Sequence, residues 1–285
     1  MKQGFVKVAS ATPRIRVADP VYNAQVICEQ AKEAAEHGAK IVVFPELCIT
    51  GYTCNDLFLQ ELLLEKAKEA LLTIAEETGQ LETLFLVGLP VDKDGRLYNV
   101  AAVLYRGRIL GMIPKKNIPM YAEFYEGRHF TPGEETVTEY RLGKQVIPFG
   151  SNLLFRCEEL PELILGCELC EDLWVAEPPS TSHALMGATV IANLSASNET
   201  VSKDDYRTLL IKASSARLLC GYIYTSAGEG ESTQDLVFGG HDLIAENGTL
   251  LVQSARFTTG ILYTDLDVLK ISSERRRMGT FGKRP

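Results

Sequence analysis

Residues 163–197 read LILGCELCEDLWVAEPPSTSHALMGATVIANLSAS, and their patterning decides the fold class. An apolar run of strand length at 163–170 gives way to a proline-containing loop, a short helical pattern at 182–188 and a second apolar run at 189–197. Strand, helix and strand in succession is the repeating unit of an α/β protein, whose helices cover the faces of its sheets. The theme continues downstream, with a helical pattern at 206–220, a strand at 221–227 and a last strand at 259–267. Between these strands, 241–254 reads as a hairpin with Asn-Gly at its turn.

The same alternation runs upstream. Residues 4–9 read as a strand, and Asp19 before Pro20 is a helix start, with Asp as cap and Pro in the first turn. Ala24, Ile27, Cys28, Ala31, Ala34 and Ala35 then recur at helical spacing until Gly38. KIVVFPE (40–46) is a buried strand ending on a glutamate, and 56–78 is a second long amphipathic helix closed by Gly79. From Leu84 the runs FLVGLPV, YNVAAVLY and ILGMIP predict strands joined by tight turns, followed by a loop-rich stretch at 120–150. The expected architecture is a layered α/β sandwich, one domain over residues 1–270. The basic tail 271–285 is expected to be a linker or a cut end.

Bulk composition narrows the function. Of 285 residues, 46% are hydrophobic and 23% charged, the balance of a globular protein with a sizeable core. A net charge of −8 argues against nucleic-acid binding, which favours a basic surface. No apolar run approaches the roughly 20 residues of a membrane helix. The N-terminus has no secretory-signal pattern. Seven cysteines, an odd number spread thinly, suit reduced thiols in the cytoplasm.

Three apolar runs end on reactive side chains: Glu46 in VVFPELCITGY, Lys115 in GMIPKKNIPMY and Cys170 in LILGCELCED. A strand end presents its side chain at the rim of a sheet, where clefts form. Singly, each has an ordinary reading, as a solvated loop residue or a small buried hydrophobe. Together they are the parts of thiol-dependent acyl transfer without histidine. A carboxylate takes the thiol proton, and an ammonium stabilises the thiolate and an oxyanion. Spacing alone does not show that they meet. Cys167 and Cys170 also form a CxxC, open to reading as a redox pair or half a zinc site. Against the first, Glu168 and Leu169 lie between them in a strand pattern, which sends residues three apart to opposite faces. Against the second, the remaining cysteines and the four histidines supply no matching half-site.

FPELCITGY, PKKNIPMYAEFYEGRHF and GCELCEDLWVAEPPS resemble, in order, the three signature blocks of the nitrilase (carbon–nitrogen hydrolase) superfamily. YAEFYEGRHF, CEDLW…PPS, NLSAS and ERRRM are similar, more narrowly, to the glutaminase domains of glutamine-dependent NAD+ synthetases. The resemblance implies a four-layer α-β-β-α sandwich that hydrolyses L-glutamine through a Cys-bound γ-glutamyl thioester. It implies Glu46 as general base, Lys115 as oxyanion-stabilising lysine, Cys170 as nucleophile and Glu123 as a second active-site glutamate. Tyr52, Phe124, Glu171, Ser197 and Arg207 fall in regions that shape the glutamine pocket, and the Glu171 N–H would join Lys115 on the oxyanion. Asp172 and Trp174 are expected at the pocket wall or an interface.

Such synthetases carry a second domain with a pyrophosphate loop of the form SGGxDS, absent from this sequence. GEGES (228–232) is glycine-rich but lacks the strand-to-helix context of such a loop. ATP, Mg and deamido-NAD are therefore expected only on a synthetase partner domain that receives the ammonia. This chain is expected to bind no cofactor and no metal, and to form a homo-oligomer. Two other readings stand beside this one: a stand-alone amidase on another small amide, and a non-catalytic assembly domain of the same fold.

Overall fold

The computed structural model describes residue 1 and residues 3–282. The apolar runs assemble into two sheets packed face to face. The first sheet holds β1 (Phe5–Thr12), β2 (Ile41–Val43), β3 (Leu84–Lys93), β4 (Arg96–Tyr105), β5 (Arg108–Pro114), β6 (Thr138–Leu142), β7 (Gln145–Phe149) and β14 (Gly260–Asp267). Its order is β14-β1-β2-β3-β4-β5-β7-β6. The second holds β8 (Leu154–Arg156), β9 (Ile164–Leu169), β10 (Val190–Ser195), β11 (Gly221–Ser226), β12 (Leu243–Glu246) and β13 (Thr249–Gln253), in the order β13-β12-β11-β10-β9-β8. The helices are α1 (Pro20–Glu36), α2 (Glu61–Glu77), α3 (Pro179–Leu185), α4 (Lys203–Leu218) and α5 (Val268–Arg277).

Side-chain alternation sorts the core into layers. Val6, Val8, Val43, Leu86 and Val103 of the first sheet meet Leu165, Cys167, Leu169, Ala192, Leu194 and Ile223 of the second. The opposite face of the first sheet packs on Ile27, Ala31, Ala34, Leu71 and Ile74 of α1 and α2. The outer face of the second sheet, with Ile191, Tyr222 and Leu243, packs on Ala184 of α3 and on Ile211 and Leu218 of α4. This is the α-β-β-α sandwich, folded as one domain.

Most expected elements lie close to their expected positions. Asp19 caps α1 by accepting from the Tyr22 N–H at 3.1 Å. The segment 56–78 is not one helix: Tyr52–Leu59 is a 3₁₀ segment, and α2 begins after extended Gln60. The stretch 120–150 contains the β6–β7 hairpin, whose strands alternate buried and exposed residues at the sheet edge. The domain also extends beyond the expected boundary at residue 270, because α5 runs to Arg277. The Arg275 guanidinium donates to the carbonyls of Leu219 (2.9 Å), Leu218 (2.9 Å) and Ala188 (2.6 Å), joining the tail to the ends of α3 and α4. Residues 283–285 of the expected linker lie outside the described residues. All seven cysteines are free.

β1, β2 and β3 run parallel, as do β9, β10 and β11, so their carboxyl ends open onto the rim of the sandwich. That rim carries the site.

Candidate active site

Glu46 follows the carboxyl end of β2, Lys115 follows β5, and Cys170 opens a 3₁₀ turn after β9. All are buried, with Glu46 and Lys115 at 0% exposure and Cys170 at 6%. Lys115 Nζ donates to Glu46 Oε1 at 2.7 Å. Asn99 of β4 donates to the same oxygen at 2.7 Å, and the Ala196 N–H after β10 donates to Oε2 at 3.0 Å. The Glu46 carboxylate is thus held from three strands.

The turn that carries Cys170 is strained and braced. Cys170 has φ +39, in the left-handed region that a side chain rarely adopts. Asp172 holds the turn, accepting from the Leu169 N–H at 3.0 Å. Its other oxygen accepts from the Asn117 N–H at 2.9 Å and from Asn117 Nδ2 at 2.7 Å. One buried carboxylate therefore fastens the cysteine turn to the loop that follows Lys115.

Electrostatics match this geometry. Burial pushes Glu46 up to about 7, opposed by Lys115 and assisted by Glu126. Burial works against the Lys115 ammonium, but Glu126, Glu46 and Cys170 outweigh it and hold its pKa well above the lysine range. Burial raises the Cys170 thiol, with Glu46 adding to the shift and Lys115 opposing it. Burial thus favours the thiol over the thiolate at Cys170, while the carboxyls around Lys115 favour its ammonium.

The second glutamate on Lys115 is Glu126, not Glu123. Glu126 Oε1 accepts from Lys115 Nζ at 2.7 Å and from the Tyr52 hydroxyl at 2.9 Å. Glu123 instead accepts from Asn198 Nδ2 at 2.5 Å and faces the cleft that Cys170 lines. The chain turns through a positive φ at Ala122 and a 3₁₀ turn at Glu126–Arg128, so the residue eight positions after the lysine points outward and the one at 126 points in. Counting along YAEFYEGRHF could not separate the two. The aromatic spacing around them was the only available signal.

Cys170 lies at the floor of a cleft of ≈ 410 Å³. Of the expected pocket residues, Phe124, Glu171 and Ser197 line it; Tyr52 and Arg207 do not. Tyr52 stands behind Glu126. Arg207 is fully buried and holds the Ser197–Asn198 segment from beneath, through Asn198 O (3.1 Å), Ser197 Oγ (3.4 Å) and an ion pair with Glu199 (2.7 Å). Trp174 is in the wall, as expected.

Sequence reading missed two cleft residues. The Lys203 ammonium lies 5.1 Å from the Trp174 ring centre and 5.6 Å from that of Phe124, and donates to Asn198 Oδ1. Burial lowers its pKa. Tyr121 donates to the Glu171 carboxylate at 2.9 Å. Lys203 opens α4, where a polar run looks like any solvated helix start. The cleft therefore offers a cation in Lys203 and two carboxyl groups in Glu171 and Glu123. Among the described residues, no group of three or more His, Cys, Asp or Glu side chains could hold a metal ion.

Comparison with known proteins places these features in context. Residues 7–276 match the family described as Carbon-nitrogen hydrolase. A glutamine-dependent NAD(+) synthetase of Mycobacterium tuberculosis is 43% identical over 98% of this chain and 42% of its own length. That of Thermotoga maritima is 32% identical over 94% of this chain and 43% of its own. The chain thus spans less than half the length of these relatives. Among solved structures, a glutamine-dependent NAD(+) synthetase from Cytophaga hutchinsonii superposes with a TM-score of 0.83 at 28% identity, covering 92% of this chain and 43% of that one. An amidase from Nesterenkonia sp. shares the fold, with a TM-score of 0.72 at 21% identity, covering 97% of each chain.

Proposed function

Because the chain belongs to the carbon–nitrogen hydrolase family, we propose that it is the glutaminase unit of a glutamine-dependent NAD+ synthetase. It releases ammonia from L-glutamine for a separate ATP-dependent unit that amidates deamido-NAD. The observation that carries this reading is the pairing of the buried Glu46–Lys115 couple with a cleft of mixed charge above Cys170. An α-amino acid presents one carboxylate and one ammonium. Lys203 suits the first, and Glu171 with Glu123 suits the second.

In this mechanism the thiol proton passes to Glu46 as Cys170 Sγ attacks the side-chain amide carbon. The oxyanion is stabilised by the Lys115 ammonium and the Glu171 N–H. Glu46 then returns the proton to the leaving nitrogen, the C–N bond breaks, and ammonia departs from a γ-glutamyl thioester. Water, deprotonated by Glu46, attacks the thioester, and glutamate and the thiol are regenerated. ATP, Mg and deamido-NAD belong to the synthetase unit, outside this chain. Reduced thiols fit work in the cytoplasm.

A diazoketone analogue of glutamine tests the reading. The expected result is one adduct on Cys170 by peptide mapping, blocked by excess glutamine and lost in Glu46→Ala. No adduct, while a general thiol reagent still modifies Cys170, would replace glutamine with another amide.

A further inference from the structure

The glycine-rich run GEGES (228–232) has no part in the chemistry described so far, yet its fold is specific. Gly230 has φ +106, and a Cβ there would lie 1.9 Å from the Ile15 carbonyl oxygen, so only glycine lets the chain pass. The turn carries the Glu231 carboxylate inward to the start of the 3₁₀ segment Tyr52–Leu59. One oxygen accepts from the Tyr52 N–H at 2.7 Å. The other accepts from the Thr53 N–H at 3.0 Å and from Thr53 Oγ1 at 2.6 Å. The Ser232 N–H donates in turn to Thr53 Oγ1 at 2.9 Å, closing the arrangement.

Among the described residues Glu231 meets the Tyr52 and Thr53 groups and no cation. Burial raises its pKa, opposed by Thr53 and Tyr52. Capping a short 3₁₀ segment would need only part of this. What sets the site apart is the residue it grips. The Tyr52 hydroxyl donates to Glu126 Oε1, the same oxygen that accepts from Lys115 Nζ. The Tyr52 ring is backed edge-on by Phe238, with centroids 5.7 Å apart, so the phenol has little freedom to correct a displaced backbone.

We infer that Glu231 is a positioning residue: it fixes the backbone of Tyr52 so that the phenol holds Glu126, and through it the Lys115 ammonium, where the oxyanion forms. The inference rests on the proposed amide hydrolysis and adds a residue that touches no reacting atom.

The test is a double-mutant cycle with Glu231→Gln, Tyr52→Phe and the pair. It is read as kcat and KM for glutamine and as the rate of Cys170 alkylation by iodoacetamide. A glutamine at 231 must turn its NH₂ towards one of the donors, releasing either Tyr52 or Thr53. Each single variant is expected to lose about tenfold in kcat with KM within about twofold, as misplacement of a catalytic arm does. The pair should fall no further than the worse single, because both act on one arm. Losses that multiply, or a Glu231→Gln variant that shifts only the melting temperature, would overturn the inference. Should Glu231→Gln fail to fold, Thr53→Val removes one bond to Glu231 and enters the same cycle on the same criteria. A wild-type protein that alkylates at Cys170 but leaves glutamine intact would refute the substrate assignment. The cycle would then be decided on alkylation rates by the same rule.

Discussion

Glu46 and Glu168 are the same group in different company. Both are buried carboxyls pushed up to about 7, chiefly by burial. Glu46 faces an ammonium and stands at a strand end beside the strands that carry Cys170 and Ala196. Glu168 lies on β9, facing away from the inter-sheet core, and among the described residues it meets only neutral donors: the Tyr222 hydroxyl and the Ser180 N–H at 2.8 Å. A displaced pKa therefore does not nominate a catalytic group. A fixed opposite charge and a nucleophile within the same enclosure do.

The comparison breaks most sharply at Lys115. Lys115→Ala should lower glutamine turnover by about 10²–10³, the usual effect of removing an oxyanion donor, and steady-state ammonia release measures it. Near-normal turnover would leave Glu46 no better placed than Glu168. Lys203→Met, which removes the cleft cation, should raise KM for glutamine about tenfold or more with a smaller change in kcat, the effect of losing a charge-assisted bond. An unchanged KM would move the substrate carboxylate elsewhere.

pH sharpens the contrast because the two carboxyls report through different observables. Glu46 must be ionised to take the thiol proton, so kcat/KM should rise with pH to a plateau, with its midpoint near 7. Glu168 should appear in stability instead. Folded Glu168 keeps its proton to about pH 7, whereas the unfolded chain releases it near the ordinary 4.5. Its favourable contribution is complete below the lower value and lost as pH rises through the higher one. Glu168→Gln keeps an oxygen for the Ser180 N–H and turns its NH₂ to the rotatable Tyr222 hydroxyl, so it should flatten part of that decline in urea midpoints, change stability by only about 0.5–1.5 kcal/mol, and leave the kcat/KM midpoint in place. A shifted midpoint would tie Glu168 to the chemistry.

The strands and helices were legible because burial imposes its period on the chain: β9, β10 and α4 follow directly from apolar spacing. Glu46, Lys115 and Cys170 were legible as strand ends and as motif members, and the fold brings Lys115 against Glu46. The hidden parts are those set by irregular backbone. Glu126 rather than Glu123 reaches Lys115 because of the turns between them, and the break before α2 follows from a 3₁₀ segment pinned by a residue far along the chain. Arg207 looked like a cleft residue because its place in the chain says nothing about which side of Ser197 it supports. Lys203 stands before the expected helix 206–220 with no apolar neighbour in the chain to mark it, and only the fold brings Trp174 and Phe124 around it.

Arg275 bears on where the gene could be cut. Its guanidinium is the donor for carbonyls of Leu218, Leu219 and Ala188 at the ends of two helices. A protein shortened to the expected boundary at residue 270 would leave those acceptors to find water at a largely enclosed seam. Any expression boundary for this unit belongs after Arg277, and an insoluble shorter product would reflect that seam rather than an inability of the sandwich to fold.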